Sequence, residues 1–573
     1  MSDTNNNNSG GFAKTTDFKW LGIGVIVFVL IGFIMPTPES MTAKALEKFP
    51  SVGDSLLVLV NNTIYHDEAE AEAKRLLKKD STFTSKEQIL RNALVAAAVD
   101  KGSKLQEKQA KEKFLAWLEP LNAKATHIQL TMALLAMCVV FFATEAVPMP
   151  AVALLIGLVQ LFFGITEPGM LAKTYAHDAV WFIAGSLALG ATLVKYGLDK
   201  RVGMLVVNLA GTKTRNIVIG ILLGTAIPTA FVGEHAVAAM YVPIAMALYT
   251  LTNKSTPAPR LGTLLMITIA VGCMIGGPMS PTGGARNALM IGFLGNMGID
   301  ISFMEWVTMG VAYTIIMSVV MAFLLPLLFK PEVDDLSEAV DFLKKDLEKH
   351  GAMTGKQKLV AAIMGLVVFL WITDKTLVAG LLGFSLGLGG IAISGAVLYM
   401  LSGLTSWKDY EDRVSWGVIV LYAGCISLGI VFKNTGASSW FADQIMDMVA
   451  PLGLDSGVGL VILMCSIGAV LTNLMSAGAT VAVIGPVVLD MAVASNTNPV
   501  LVGVGLAIAT SMAYWLVIGT PASSIVYASG QLESKDFIRM ATLGWPIALI
   551  ALSIIIVVYW VGLLGIDPAG MGF

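Results

Sequence analysis

The sequence predicts an all-α polytopic membrane protein made of two matching halves, on the strength of three observations. Of its 573 residues, 56% are hydrophobic and only 13% are charged, whereas a soluble protein averages about 25% charged residues. Apolar runs of about 20 residues, the length that spans a bilayer, recur along the chain. A segment of small and apolar residues at 184–190 also returns at 423–429, and Gly197 and Gly436 follow the two copies at the same distance. The chain is therefore expected to lie mostly in lipid.

Each half is interrupted twice by small residues. The first interruptions, residues 233–236 and 476–479, each begin ten residues before a proline, and the second lie at 283–287 and 519–523. Non-helical chain survives at membrane depth only where it is buried in protein or lines a cavity. Paired interruptions in matching halves indicate the substrate site of a transporter, where half-helix N-termini attract anions and freed carbonyls attract cations. The pattern predicts transport of a small charged solute.

The N-terminal part of the chain divides into three predicted segments. Residues 1–17 are polar and rich in Asn and are expected to be disordered. The apolar run at 18–36 lacks a small-residue cleavage signature, so it predicts a retained first transmembrane helix. Residues 37–126 are dense in Ala, Glu and Lys and predict an inserted helical extramembrane domain, placed outside by a single span from a cytoplasmic N-terminus. A packing or dimer-contact role and a sensor or docking role both stay open for it.

Charge and cysteine content settle further expectations. Residues 330–357 form a polar linker rich in Lys, which predicts a cytoplasmic location because short cytoplasmic loops are enriched in Lys and Arg. The tail after Trp560 lacks both residue types, which suits an external end. A net charge of −3 without a basic stripe gives no indication of nucleic-acid binding. The four cysteines lie in apolar segments and are interpreted as core residues.

Several short motifs resemble the divalent-anion/sodium symporter family, which includes sodium/dicarboxylate and sodium/sulfate cotransporters. They are Thr-Glu-Ala-Val-Pro-Met-Pro at 144–150, Trp-Ile-Thr-Asp at 371–374, Ser-Trp-Lys-Asp at 406–409, Trp-Gly at 416–417 and Gly-Thr-Pro at 519–521. The resemblance covers about residues 127–566. It implies an inverted-repeat elevator transporter of about 11 transmembrane helices and two re-entrant hairpins, working as a homodimer with one anion site between two sodium sites.

The same resemblance assigns the parts of the fold to this chain. The first repeat would be 127–329 with its hairpin at about 216–250, and the second 358–573 with its hairpin at about 456–492. Broken spans would lie at about 259–297 and 499–529.

The chain departs from the family pattern at both hairpin tips. Where the family has Ser-Asn-Thr, this sequence has Gly-Glu-His at 233–235 and Ser-Ala-Gly at 476–478. The following loops end in Ala-Arg-Asn at 285–287, in place of Pro-Pro-Asn, and in Pro-Ala-Ser at 521–523. Substrate contacts are predicted for Glu234, His235, Arg286, Asn287, Ser476, Ala477, Gly478, Thr520, Pro521 and Ser523. Cation contacts, with sodium as the candidate ion and no other cofactor, are predicted for Gly233, Glu234, Gly283, Thr472, Ser476 and Gly519.

Two interpretations of the charged tip residues stay open. An ionisable side chain at membrane depth costs roughly 2.5–3.5 kcal/mol even on insertion scales, which marks such residues as functional. In one interpretation Arg286 presents its fork to a carboxylate or sulfate, while Glu234 takes a proton or sodium and His235 titrates beside it. In the other, Glu234 and Arg286 form a fixed ion pair that replaces a sodium site.

The sequence therefore predicts a secondary active, cation-coupled transporter of small divalent anions in the plasma membrane, by expectation the bacterial inner membrane. C4-dicarboxylates come first, and sulfate or a sulfonate second because an Arg with small neighbours suits a compact anion. A sodium-independent exchanger or a proton-coupled carrier is the alternative, and a membrane receptor is the alternative outside transport. Because no span or loop holds a convincing nucleophile and base, an enzyme is not predicted.

Overall fold

The computed structural model describes residues 16–35, 37, 41, 104–198, 201, 210–341 and 352–570. The disordered segment expected at 1–17 lies almost wholly outside these residues, as does most of the inserted domain expected at 37–126. The middle of the linker expected at 330–357 is also outside them. Every element of regular secondary structure in the described residues is a helix.

The first half of the chain contains ten α-helices among its described residues. They are α1 (Phe18–Val29), α2 (Lys104–Thr144), α3 (Met149–Phe162), α4 (Pro168–Tyr175), α5 (Asp178–Lys195), α6 (Thr214–Val232), α7 (Glu234–Ser255), α8 (Pro259–Gly276), α9 (Ala285–Gly295) and α10 (Phe303–Leu328). One continuous helix, α2, crosses residue 126, where the inserted domain is expected to give way to the second span.

The second half contains eleven further helices among its described residues. They are α11 (Gly355–Thr373), α12 (Ala379–Leu382), α13 (Gly387–Leu401), α14 (Trp407–Arg413), α15 (Trp416–Thr435), α16 (Ala437–Val449), α17 (Gly457–Leu471), α18 (Ala477–Ala494), α19 (Pro499–Ala509), α20 (Pro521–Tyr527) and α21 (Ser534–Ile554).

By length and composition, ten helices in the described part of the chain can cross a membrane. The number is eleven if the pair Ala437–Leu452 and Gly457–Leu471, bent by 114° at its break, counts as one span. The predicted all-α polytopic fold is confirmed.

The repeated Gly185 and Gly424 have matching roles in packing the halves together. A Cβ atom on Gly185 of α5 would lie 2.6 Å from the carbonyl carbon of Ala392 in α13. A Cβ atom on Gly424 of α15 would lie 2.6 Å from the Cα of Ala153 in α3. Glycine at both positions therefore lets a helix of one half approach the backbone of a helix from the other half.

The four interruptions become breaks between helices. In the first half α6 and α7 meet at Gly233, whose φ of 88° and ψ of 155° form a conformation that is essentially restricted to glycine. In the second half the corresponding helices, α17 and α18, are joined by residues 472–476. The other two breaks separate α8 from α9 and α19 from α20 and contain 3₁₀ turns.

The second half of the first broken span packs into the other repeat. A Cβ atom on Gly485 of α18 would lie 2.9 Å from the ring of Phe293 in α9. A Cβ atom on Gly503 of α19 would lie 2.8 Å from the sulfur of Met290 in the same helix. A smaller hydrophobic core surrounds Trp371 of α11, whose ring stacks on that of Phe303 at a centroid distance of 5.3 Å. The breaks of both halves thus belong to one packed assembly.

Candidate functional site

A buried ion pair joins the two breaks of the first half. Arg286, in the first turn of α9, donates from Nη1 to Oε1 of Glu234, the first residue of α7, at 2.7 Å. The two side chains are only 4% and 6% exposed. The Nε and Nη2 atoms of Arg286 are buried and have no hydrogen-bond partner among the described residues. Three of the five N–H bonds of this guanidinium therefore remain available to a ligand.

Two glycines make room for the pair. A Cβ atom on Gly277 would stand 2.7 Å from Oε1 of Glu234 and closer still to Nη2 of Arg286. On Gly284 it would stand 3.0 Å from Nη1 of the same arginine. The guanidinium occupies space that side chains at these two positions would fill.

Protein donors already occupy carbonyl groups in the first break. Nδ2 of Asn287 donates to the carbonyl oxygens of Gly277, at 2.9 Å, and Ser280, at 2.7 Å. Hydroxyls of Ser280 and Thr282 both donate to the carbonyl oxygen of Ala230. Oδ1 of Asn287 is buried without a hydrogen-bond partner among the described residues. Arg286 supplies the positive charge at this break. The neighbouring carbonyl oxygens are of the kind that bind a cation when no protein group donates to them.

The breaks of the second half hold neutral groups. Thr472 donates from Oγ1 to the carbonyl oxygen of Thr510 at 2.7 Å. Asn473 donates to the carbonyl oxygen of Met512 at 3.2 Å and accepts from the backbone N–H of Trp515 at 2.8 Å. These contacts tie the second hairpin to the second broken span without an ionised side chain.

Helix capping also differs between the halves. In the second half, Ser476 accepts from the backbone N–H of Ala479 and caps α18, while Thr520 accepts from that of Ser523 and caps α20, both at 3.3 Å. The matching helices α7 and α9 have no side-chain cap. The first N–H groups of α7 and α9 therefore form the positive ends of the two helix dipoles without a hydroxyl cap.

The remaining predicted site residues lie around these contacts. His235 follows Glu234 on α7, but its side chain is exposed and makes no hydrogen bond to a described residue. Ala477 is buried, and Gly478 lies against the ring of Tyr422. Gly283 contacts the backbone of Gly277. The other four lie at the second broken span. Gly519 lies against Ala513, and the hydroxyls of Thr520 and Ser523 are 3.0 Å apart next to Pro521.

Sequence reasoning did not identify Asn473 or Tyr422 as site residues. A lone Asn in the apolar hairpin, next to the predicted Thr472, was an available signal for the first. Tyr422 had none, because its contact with Gly478 joins helices far apart in the sequence.

Repeated helices, helix breaks in both halves and a buried charged pair between the two breaks of the first half are features of a polytopic membrane transporter. Residues 116–566 match the sodium:sulfate symporter transmembrane region. The chain belongs to the sodium:sulfate symporter family, which confirms the family resemblance of its motifs and the prediction that it is not an enzyme.

Two relatives named as transporters agree with this class. The sodium-dependent dicarboxylate transporter SdcS of Staphylococcus saprophyticus is 28% identical over 449 residues, which cover 74% of this chain and 84% of the relative. SdcS of Staphylococcus aureus is 28% identical over 448 residues, with the same coverage of both chains. MtrF of Neisseria gonorrhoeae aligns with a TM-score of 0.49 and 14% identity over 70% of this chain and 84% of its own.

Proposed function

We propose that the protein is a secondary active transporter of small divalent anions, with C4-dicarboxylates as the favoured substrates. The observation that carries the proposal is the buried Glu234–Arg286 pair, set between two uncapped helix N-termini in a member of the sodium:sulfate symporter family. The relative SdcS, named as a sodium-dependent dicarboxylate transporter, supports this choice of substrate and sodium as the coupling ion.

Arg286 is the proposed anion ligand. Its unpaired Nε and Nη2 can form a bidentate contact with a carboxylate or sulfate. The N-termini of α7 and α9 add partial positive charge. Before an anion binds, Glu234 neutralises Arg286, so that no buried charge is left without a partner.

The coupling ion is proposed to bind at the second half. Thr472 and the carbonyls of Thr510 and Met512 supply oxygen atoms there, whereas Arg286 provides the positive charge at the first half. Sodium would thus act mainly at the neutral breaks.

A proton-coupled carrier or an exchanger is the second candidate, favoured by the carboxylate of Glu234 beside Arg286. A proton on Glu234 would free the full charge of Arg286 for the anion. In that case a proton gradient, rather than sodium, would drive accumulation.

Movement is proposed to follow an elevator mechanism within a homodimer. The separate core around Trp371, which joins α5, α11 and α13, supports a body that could stay fixed while the hairpins move. Cross-linking of α5 to the first hairpin through paired cysteines near Gly190 and Val232, which lie close together, should then block uptake.

Uptake by the purified protein in liposomes tests these proposals. Labelled succinate and sulfate would be offered under an inward sodium gradient, an inward proton gradient, or internal unlabelled anion alone. Uptake that requires sodium supports coupling at the second half. Uptake driven by protons, and lost in Glu234→Gln, supports the second candidate, and uptake seen only against internal anion indicates exchange.

A further inference from the structure

Tyr422 reaches the tip of the second hairpin from a different helix. It lies on α15, and its ring packs on Gly478 in the first turn of α18. A Cβ atom on Gly478 would stand 3.0 Å from Cζ and 3.2 Å from Cε1 of this ring, and closer still to the hydroxyl oxygen. The tyrosine hydroxyl therefore occupies the place where a side chain on residue 478 would begin.

Tyr422 also lies on a helix that neighbours the charged break. Its helix, α15, contacts α9, and Tyr422 and Ala285, the residue before Arg286, pack against the same hydrophobic cluster around Trp371. The side chain of Tyr422 is half-buried, and its hydroxyl makes no hydrogen bond to a described residue. An O–H group that is partly withdrawn from water and left without a protein partner is available as a donor to a ligand.

Donors without a partner among the described residues thus lie on two helices that contact each other. Nε and Nη2 of Arg286 come from α9 and are buried in a side chain only 4% exposed. The hydroxyl of Tyr422 comes from α15. No acceptor among the described residues satisfies these three groups, which makes an oxyanion with at least two acceptor oxygens the fitting ligand.

We infer that Tyr422 is part of the anion site, where its hydroxyl donates a hydrogen bond to an oxygen of the anion held by Arg286. This inference rests on the proposed function and assigns the second donor of that site to α15. A glycine at 478 leaves room for the tyrosine, which supplies from outside the hairpin a hydroxyl that residue 478 itself lacks. Tyr422 and Gly478 therefore act as a matched pair.

Tyr422→Phe is the direct test, because it keeps the ring on Gly478 and removes only the hydroxyl. In proteoliposomes we expect KM for succinate to rise about tenfold, as for the loss of one hydrogen bond to a charged group, with kcat close to that of the wild type. Tyr559→Phe is the matched control: this half-buried tyrosine donates to the carbonyl oxygen of Thr308, outside the breaks, and its loss should leave KM unchanged.

A second pair of variants moves the hydroxyl. Gly478→Ser alone places a side chain against the tyrosine and should lower uptake strongly. Tyr422→Leu/Gly478→Ser removes the obstructing ring and returns a hydroxyl from the tip, so it should recover a measurable part of the uptake that Tyr422→Leu loses. Tyr422→Leu/Gly478→Ala, which restores bulk without a hydroxyl, should not show this recovery; equal recovery in both double variants would mean that Tyr422 only fills space.

The outcomes separate the inference from the function beneath it. Wild-type uptake together with an unchanged KM in Tyr422→Phe would overturn the role of Tyr422 and leave the transporter proposal intact. Absence of uptake of every anion by the wild type would overturn the proposed function itself, and the inference with it. A raised KM in Tyr422→Phe but not in Tyr559→Phe supports both.

Discussion

The two halves of the chain break their helices at matching positions but place different side chains at the breaks. Both interrupt helices in parts of the chain that are apolar enough to cross a membrane, where unpaired backbone groups are costly. In the first half, Glu234 and Arg286 place opposite charges at the uncapped starts of α7 and α9. In the second half, Ser476 and Thr520 cap the matching helices with hydroxyls.

This difference shows how duplicated elements can divide their tasks. A cation at a helix N-terminus opposes the helix dipole, so Arg286 depends on Glu234 and on the space left by Gly277. The neutral second half has no such dependence, and the coupling ion is proposed to bind there. We therefore expect substitutions in the first half to affect folding and anion binding strongly, and those in the second half to affect coupling.

Breaking the ion pair should have the largest effect. Arg286→Gln leaves a buried carboxylate without its partner, which typically costs about 3–5 kcal/mol. We expect the free energy of unfolding to fall by that order and anion uptake to be lost. Thermal unfolding in detergent and proteoliposome uptake measure the two effects.

The double variant Glu234→Gln/Arg286→Gln sharpens this test. It should recover most of the stability, because neither buried charge remains, but no uptake, because the anion ligand is gone. Lys408→Gln is the control, since its ion pairs on α14 are exposed. Equal stability of the single and double variants would contradict an ionised Glu234.

Gly277→Ala should come next. The added Cβ atom would overlap Arg286 Nη2 and crowd Oε1 of Glu234, and overpacking of this kind costs about 1–3 kcal/mol. Gly365→Ala is the matched control, because nothing lies within 4 Å of its added Cβ. If both variants unfold at the wild-type temperature, the pair does not need the space at Gly277.

Local signals in the sequence account for the positions of the breaks. Glycine at 233 and a serine at 476 are the residues that a turn and a helix cap need, and both lie where helices end or begin in the structure. Pairing of Glu234 with Arg286 was one of two interpretations of the sequence, and the geometry matches it. The free Nε and Nη2 atoms keep the other interpretation, a ligand role for Arg286, open.

Features that depend on contacts between distant segments could not be predicted. Consecutive helix positions differ by about 100° in direction, so His235 does not share the orientation of Glu234, and a titrating role for it stays a prediction. Packing of Tyr422 on Gly478 and of Gly277 on Arg286 appears only once the helices are assembled. Proline favours a helix break, and the sequence has Pro120 inside α2, so it could not show that this helix runs unbroken over Lys104–Thr144.

Thr472→Val tests the neutral half and should have a smaller effect. It removes the hydrogen bond to the carbonyl of Thr510, at a cost of about 1 kcal/mol. If sodium binds there, the sodium concentration for half-maximal uptake should also rise. Thr268→Val, which removes a similar buried bond to the carbonyl of Leu264 within α8, should change stability but not sodium dependence. An equal sodium response in both variants would argue against a cation site at Thr472.

Asp409→Asn should have the smallest effect, and it separates structural from functional pH dependence. Hydrogen bonds from Lys195 and Ser406 hold the pKa of the Asp409 carboxyl well below its ordinary range. The contribution of this carboxyl group to the free energy of unfolding is complete above its pKa in the unfolded protein, about 4. It is lost as the pH falls towards its pKa in the folded protein. The wild type should therefore lose stability in acid more steeply than Asp409→Asn, as measured by thermal unfolding against pH. Because the contact lies at α14, outside all four breaks, uptake near neutral pH should be the same in both proteins. A difference in uptake between the two proteins at neutral pH would instead show that transport depends on the contact at α14.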